Sequence, residues 1–225
     1  MAENADRSTE IRVLVVDDHP IMRAGLAQLI RQEPDMTVCG EASDGDEALG
    51  GVAQSDPAVV LVDLSLRDSS GLDLIQALRA QYAHLPVLVV SMHDEQFYAE
   101  RALRAGARGY VTKSEPPMRI IEGIRAVLAG GVFVSQDLAS RMLGSFIGAP
   151  EAGGSSPLNR LSDREFQVFE LIGQGLQNRQ IAKRLHVSVK TVEAHREHIK
   201  KKLQIDNAPE LLRYAMQWTE LDRDG

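Results

Sequence analysis

The sequence predicts an α/β protein with a five-stranded, doubly wound parallel (βα)5 domain, followed by a small all-α four-helix domain. Short β-branched apolar runs alternate with amphipathic segments over the first 130 residues, and only helix-period segments follow residue 158. A Gly/Pro/Ser-rich stretch at 148–157 separates the two patterns. Because 225 residues exceed one ordinary domain, we expect domains at 9–131 and 158–221, joined by a connecting segment and flexible linker at 132–157.

Five apolar runs are predicted to form the strands of the parallel sheet. Four of them lack polar alternation at their centres, as strands buried on both faces do. Helix-start signals lie between the runs, such as Pro20 and the pair Pro116-Pro117, since proline suits the first turn of a helix. Consecutive βα units of this kind form a parallel sheet with right-handed crossovers. The predicted strands are Ile11–Val16, Met36–Glu41, Ala58–Val62, Pro86–Val90 and Arg108–Thr112.

Apolar residues at helical spacing define four helix faces in the second domain. A short connection at Gln174–Gln177, which contains Gly175, is typical of a helix-turn-helix unit. Ser188 is a suitable N-cap for the helix that follows the turn. The four faces consist of Val168, Phe169 and Ile172; Ile181, Ala182 and Leu185; Val192, His195, Ile199 and Leu203; and Leu211, Leu212, Ala215 and Met216.

Composition narrows the class of protein. Hydrophobic residues make up 44% of the chain, which is enough for packed cores. Cys39 is the only cysteine, so the chain can form neither an internal disulfide nor a thiolate metal cluster. The apolar runs are strand-length and the N-terminus has no apolar signal region, which predicts a cytoplasmic protein without a membrane segment.

Charge is unevenly distributed along the chain. Residues 1–146 hold 13 Lys/Arg and 21 Asp/Glu, a net charge of −8, whereas residues 147–225 hold 12 and 11, a net charge of +1. Arg179 to Lys202 carries eight basic residues against Glu193 and Glu197, a net charge of +6. Such a concentration of basic charge favours a polyanionic partner for the second domain.

Residues able to carry out phosphoryl transfer follow four of the predicted strands. Asp17 and Asp18 follow the first strand, Asp63 the third, Ser91 the fourth and Lys113 the fifth. In parallel sheets ligands bind at the carboxyl ends of strands, so neighbouring strands would bring the three carboxylates into one crevice. Their repulsion favours a divalent cation, and an oxygen-only ligand set suits Mg²⁺. A carboxylate beside Mg²⁺ can attack phosphorus, and Ser91 and Lys113 can then bind the phosphoryl oxygens.

The simpler alternative, that these side chains are solvated strand caps, explains any one of them but not the set. Four segments around them resemble the receiver domain of two-component response regulators over about residues 11–130. These segments are Val15-Val16-Asp17-Asp18-His19, Leu61-Val62-Asp63-Leu64, Val90-Ser91-Met92 and Gly109-Tyr110-Val111-Thr112-Lys113. The resemblance implies that Asp63 is the phosphoacceptor, that Mg²⁺ is bound by Asp17, Asp18, Asp63 and the backbone carbonyl of Ser65, and that Ser91, Lys113 and Tyr110 form the phosphoryl-binding and switch set.

One departure from the receiver pattern and one neighbouring histidine leave alternatives open at this site. Leu66-Arg67 stands where receivers of this kind usually have Met-Pro, so the loop after Asp63 lacks a φ restraint. Arg67 either reaches the acidic pocket or is solvated. His93 lies two residues after Ser91, and it either influences water attack on an aspartyl phosphate or is a solvated loop residue.

The basic segment is predicted to bind DNA, the alternative being a solvated charged face on a helical bundle. Leu161-Ser162-Asp163-Arg164-Glu165, Gly175-Leu176-Gln177-Asn178 and Lys190-Thr191-Val192-Glu193-Ala194-His195-Arg196 resemble the LuxR-type helix-turn-helix domain. With the receiver, this is the arrangement of NarL/FixJ-type regulators, and it implies a recognition helix at about 188–203. The DNA-binding residues would be Ser188, Lys190, Thr191, Glu193, Ala194, Arg196, Glu197 and Lys200.

Glu193 and Glu197 would repel phosphates, so they are better placed against base edges, where a carboxylate can accept a hydrogen bond from cytosine. His195 is predicted to be a core or backbone-positioning residue.

The predicted function is that of a transcription factor phosphorylated at Asp63 by a sensor histidine kinase, with Mg²⁺ as cofactor, double-stranded DNA as partner and a homodimer as the phosphorylated form. It would not be an enzyme beyond its own phosphorylation and dephosphorylation. One alternative is an aspartyl-phosphate hydrolase, but those enzymes typically place two Asp two residues apart at a strand end, a pattern absent around Asp63. Another is a DNA-binding protein switched without phosphate, which the complete set of five site residues disfavours.

Overall fold

The computed structural model describes residues 10–66, 70–146 and 156–224. The internal contacts divide the chain into two compact units, Met1–Gln136 and Asp137–Gly225, and each is described by itself. The division falls inside the predicted connecting segment, while the predicted domain boundaries at 9–131 and 158–221 stay predictions.

The first unit is a parallel sheet of five strands in the order β2-β1-β3-β4-β5. Its core is made of β-branched and leucine side chains from the strands together with apolar residues of the first and fifth helices, such as Ile30 and Ile124. The reversal of strand order beside β1 produces the doubly wound topology that the sequence predicts. The elements are β1 Ile11–Val16, α1 Pro20–Arg31, β2 Met36–Ala42, α2 Gly45–Ser55, β3 Val59–Val62, α3 Gly71–Gln81, β4 Val87–Ser91, α4 Glu95–Ala105, β5 Gly109–Thr112 and α5 Met118–Leu128.

Strand register decides which residues meet at the carboxyl edge of the sheet. Val16 of β1 pairs with Val62 of β3, and the backbone N–H of Asp63 donates to the Val16 carbonyl at 2.9 Å. Asp17 and Asp63 are therefore adjacent as the chain leaves the sheet. Between β4 and β5, Ser91 pairs with Thr112, and the N–H of Lys113 donates to the Ser91 carbonyl at 2.7 Å.

The second unit is helical throughout its described residues. Its core contains an aromatic cluster in which Trp218 packs against Phe166 and Phe169, with ring centroids 5.3 and 5.6 Å apart. The turn before the third of its last four helices is tight because His186 adopts a left-handed conformation, with φ of 53°. The elements are α6 Gln136–Phe146, a 3₁₀ turn at Pro157–Arg160, α7 Asp163–Gly173, α8 Asn178–Arg184, α9 Val189–Leu203 and α10 Ala208–Asp224.

One element was not predicted. Helix α6 occupies 136–146, where the sequence analysis placed only a connecting segment. Leu138 and Met142 are four residues apart, a helical spacing that was overlooked because this segment adjoins the linker; Leu138 is buried and Leu143 is exposed. The linker predicted at 148–157 lies outside the described residues except for Ser156 and Pro157. Within the described part of the chain, no helix has the length and apolarity needed to cross a bilayer.

Candidate functional site

Lys113 joins two carboxylates at the carboxyl edge of the sheet. Its ammonium Nζ lies 2.7 Å from Asp17 Oδ2 and 2.7 Å from Asp63 Oδ2. All three side chains are almost completely buried, with Lys113 only 2% exposed. Lys113 is also the only lysine before Lys183, all other cations of the first unit being arginines. A compact ammonium can bridge two carboxylates in this way, whereas a planar guanidinium favours bidentate pairing with one.

The charges of this group are incompletely balanced. Burial raises the pKa of the Asp63 carboxyl, and the attraction of Lys113 opposes the rise without cancelling it. Burial alone would lower the pKa of Lys113, but the attraction of Asp63 and Asp17 outweighs it and raises that pKa. One protonated lysine therefore faces two buried carboxylates, and a further positive charge would stabilise the group.

Asp18 supplies the feature that best fits a metal ion. Its Oδ1 atom is buried and makes no hydrogen bond within the described residues; His19 Nδ1 lies 2.6 Å away without hydrogen-bond alignment. Ligand atoms of Asp17, Asp18, His19 and Asp63 all lie within 4.8 Å of one another. A buried carboxylate oxygen without a donor needs a cation, and three carboxylates at this spacing suit Mg²⁺. These residues thus fit the predicted ion.

The loop after β3 is held close to the strand by α3. The N–H of Ser65 donates to Asp63 Oδ1 at 3.3 Å, and the N–H of Gly71 donates to the Leu64 carbonyl at 3.0 Å. A Cβ at Gly71 would lie 2.4 Å from the Asp63 carbonyl oxygen, so only glycine permits this approach. Leu66 is buried. The question posed by Arg67 falls outside the described residues.

His93 connects the loop after β4 to three neighbours. Its Nε2 lies 2.8 Å from the Ser65 hydroxyl, its ring stacks on Tyr98 with centroids 4.2 Å apart, and its carbonyl accepts from the Tyr110 hydroxyl at 2.9 Å. Ser91 is buried, and its hydroxyl accepts from the His93 N–H at 3.3 Å. The structure therefore brings Ser91, Tyr110 and Ser65 together through His93, which is half-buried.

The second candidate site is the exposed face of α9. Ser188 caps the helix, accepting from the Thr191 N–H at 3.0 Å. Of the eight residues predicted to meet DNA, five are exposed and three are half-buried. The exposed residues are Ser188, Lys190, Glu193, Ala194 and Glu197, and the half-buried residues are Thr191, Arg196 and Lys200.

Glu165 anchors α9 to α7. It is buried, closes a capping box with Ser162 at the start of α7, and accepts from Lys202 Nζ at 2.6 Å. Although burial opposes it, these bonds from Lys202 and Ser162 lower the pKa of Glu165.

Burial lowers the pKa of His195, which is half-buried and whose Nδ1 has no hydrogen-bond partner in the described residues.

Several residues of both sites were not predicted from the sequence. Gly71 directly follows the helix cap Ser70, and a glycine at the first position of a helix was a usable indication of a close backbone approach. His19 was named only as part of the receiver-like segment, and no sequence pattern indicated that its side chain would lie beside the Asp18 carboxylate. The pairing of Glu165 with Lys202 spans 37 residues, beyond the reach of any local pattern.

Two family models match the chain. Residues 13–125 match the response regulator receiver domain, and residues 159–215 match the luxR family of bacterial regulatory proteins. The two matched regions contain both candidate sites.

Known proteins resemble the chain over nearly all of its length. The oxygen regulatory protein NreC of Staphylococcus carnosus is 34% identical over 216 residues, covering 94% of this chain and all of that protein. RcsB from Salmonella enterica serovar Typhimurium, solved on the rprA promoter with the phosphomimetic BeF3-, is 27% identical with a TM-score of 0.71, covering 92% of this chain and 98% of that chain. A LuxR-family two-component response regulator from Aurantimonas sp. SI85-9A1 is 35% identical with a TM-score of 0.57. The similarity covers 61% of this chain and 99% of that chain.

Proposed function

Because the chain belongs to the NarL/FixJ-type response regulators, which join a receiver domain to a LuxR-type DNA-binding domain, we propose that a sensor histidine kinase phosphorylates Asp63 and thereby controls DNA binding. Membership makes the protein a transcription regulator rather than a classical enzyme. The observation that supports Asp63 most directly is its position in a buried group of carboxylates bridged by Lys113.

Asp17, Asp18 and Asp63 would hold Mg²⁺, together with the backbone carbonyl of Ser65. The Oδ1 atom of Asp18, which is buried and receives no aligned hydrogen bond within the described residues, supports this assignment. The ion would supply positive charge to the phosphoryl oxygens.

In the phosphoryl transfer, a carboxylate oxygen of Asp63 forms the new bond to phosphorus while the P–N bond to the kinase histidine breaks. The released imidazole keeps the electron pair and takes up a proton. Lys113 is already within hydrogen-bond distance of Asp63, so its ammonium can move onto a phosphoryl oxygen without leaving the pocket. Ser91 would provide the second donor.

The phosphoryl group would act by shifting a conformational population. Drawing Ser91 and Lys113 toward the phosphate disturbs the hydrogen bonds that His93 makes with Ser91 and Tyr110. The surface around Tyr110 then repacks, and the protein forms a homodimer. A dimer suits DNA recognition because one helix-turn-helix reads a half-site and two-fold pairing matches a palindrome.

On DNA, α9 would enter the major groove as the recognition helix. Ser188, Lys190, Thr191, Arg196 and Lys200 would contact the backbone, and Glu193, Ala194 and Glu197 would face base edges. The RcsB complex with the rprA promoter, in which a related protein of the same domain order is bound to DNA, supports this placement.

Incubation with Mg²⁺ and a small acyl phosphate tests the acceptor. Wild-type protein and Asp46→Asn, which changes an exposed aspartate of α2, should form a slowly hydrolysed adduct by intact-protein mass spectrometry. Asp63→Asn should form none. Rapid release of phosphate without an adduct would favour the hydrolase instead.

The same samples test the coupling. Phosphorylated wild-type protein should sediment as a dimer and bind a selected operator more tightly than the unphosphorylated protein. Equal affinity of the two forms would contradict the switch and favour a regulator that responds to something other than phosphate.

A further inference from the structure

Two glutamates lie on the exposed face of a helix that is otherwise basic. Glu193 and Glu197 are both exposed, and α9 also carries Lys190, Arg196 and three consecutive lysines at 200–202. The glutamates are four residues apart, a spacing at which like charges destabilise a helix by about 0.2–0.5 kcal/mol. Glu193 is the fifth residue of the helix, beyond the first turn in which acidic residues gain from the helix dipole. Lys190 and Arg196 lie three residues from Glu193, and Lys201 lies four residues from Glu197, so opposite charges at helical spacing offset this repulsion.

The surroundings of the two glutamates differ. Glu197 Oε1 lies 2.9 Å from Lys200 Nζ, and Lys200 is only 18% exposed, so this carboxylate has a partner held by packing. Glu193 has no ion pair or hydrogen bond through its side chain among the described residues. One negative charge of the face is thus neutralised within the protein, and the other is not.

An unneutralised carboxylate is costly beside DNA unless it receives a hydrogen bond. Phosphates repel it, whereas the N4 amino group of cytosine is a donor that projects into the major groove. Adenine also presents an amino donor there, but its neighbouring N7 acceptor repels a carboxylate, so cytosine is preferred. Glu197 carries a smaller penalty because Lys200 neutralises its charge within the protein.

From this difference, and on the proposed placement of α9 in the major groove, we infer that Glu193 is the residue that specifies cytosine at one base pair of each half-site. Glu197 instead restrains Lys200, which limits how strongly that lysine can bind phosphate.

The test is a random-site DNA selection with the full-length chain, run with and without Mg²⁺ and a phosphodonor. The proteins are wild type, Glu193→Gln, Glu193→Lys and Glu197→Gln. Glu220→Gln, an exposed position of α10, is the control that removes the same charge from the same unit. The DNA motif is read from whichever form of the protein, phosphorylated or unphosphorylated, enriches DNA. If both forms enrich the same motif equally, phosphorylation does not control binding, and the role of Glu193 in base specification can still be read from that motif.

The wild-type motif should contain an invariant cytosine in each half-site. Glu193→Gln should weaken the preference for cytosine over adenine about tenfold, because an amide pairs with adenine N6 and N7, and Glu193→Lys should replace cytosine with guanine, while other positions stay unchanged. Glu197→Gln should keep the motif and steepen the salt dependence of log K by about one unit, since Lys200 is freed to bind a phosphate. Glu220→Gln should change neither.

Three results would overturn the inference. These are a wild-type selection without a conserved cytosine, a cytosine preference retained in Glu193→Gln, and a change in Glu193→Gln that raises affinity for all sequences equally, as loss of charge alone would. A motif altered as much by Glu197→Gln as by Glu193→Gln would overturn the division of roles.

Discussion

The two buried carboxylates of the first unit share a single cation, whereas the buried carboxylate of the second unit has a cation of its own. Asp17 and Asp63 share one ammonium group from Lys113, and the pKa of Asp63 is raised. Glu165 accepts from both Lys202 and the Ser162 cap, and its pKa is lowered.

That difference distinguishes a reactive group from a structural one. A carboxylate whose charged form is disfavoured is stabilised when it binds a cation or accepts a phosphoryl group. The acidic group of the first unit can therefore respond to metal binding or phosphorylation. A carboxylate whose charged form is satisfied gains nothing further and acts to hold α9 in place. The basic side chains of the second unit that could bind a polyanion, such as Lys190, lie on the exposed face of α9.

Removing Lys113 should have the largest effect. Lys113→Met leaves two buried carboxylates without their shared cation and should lower the free energy of unfolding of the first unit by about 3 kcal/mol. Mg²⁺ should restore part of this loss, because a bound cation stabilises only the folded state. Urea unfolding followed by far-UV circular dichroism measures both effects.

The control for Lys113→Met is Arg104→Met, which removes the cation of an exposed pair with Glu100 in the same unit. That change should cost no more than about 0.5 kcal/mol. Equal losses in the two variants would show that the Lys113 group is no more critical than a surface pair.

Glu165→Gln should have the next largest effect and should act on the second unit. It weakens the Lys202 bond and the cap, at a cost of about 1.5–3 kcal/mol. Trp218 is the only tryptophan and is buried in this unit, so its fluorescence follows the unfolding. DNA affinity should fall as well, because α9 loses an anchor, whereas Glu220→Gln should leave the Trp218 transition unchanged.

Acid should produce a smaller loss in the second unit through the same residue. Because the folded-state pKa of Glu165 is lowered, its stabilisation is present above the ordinary glutamate pKa and is lost as pH falls through the lowered pKa. The Trp218 urea midpoint should therefore drop below about pH 5 more steeply in wild type than in Glu165→Gln. Parallel curves for the two proteins would remove Glu165 as the cause.

His93→Ala should have the smallest effect on stability but should alter the phosphorylated state. The change breaks the bond that ties the loop after β3 to the loop after β4, worth about 1 kcal/mol. Water should then reach the phosphoryl group more easily, and its lifetime should shorten by about fivefold. His84→Ala, an exposed histidine of the same unit, is the control. If the lifetime of the phosphorylated form were unchanged in His93→Ala, the hydrogen bond between His93 and Ser65 would have a structural role only.

Local sequence patterns determined most of the fold and the residue types of the site. The strand Ile11–Val16 was predicted with its observed ends, and the other four were predicted within one residue at each end. These runs were detectable because strands buried on both faces must be continuously apolar. Ser188 was predicted as a cap because an N-cap side chain serves its own helix, which is a local interaction.

Tertiary structure decided which of these residues act together. The adjacency of β1 and β3 places Asp17 beside Asp63, and only the assembled sheet brings Lys113 to both, across 96 and 50 residues of sequence. The links of His93 to Ser65 and of Lys202 to Glu165 are likewise long-range. Sequence periodicity reports which side of an element is buried, but contacts between distant segments depend on strand order, register and packing, and these are set when the whole core forms.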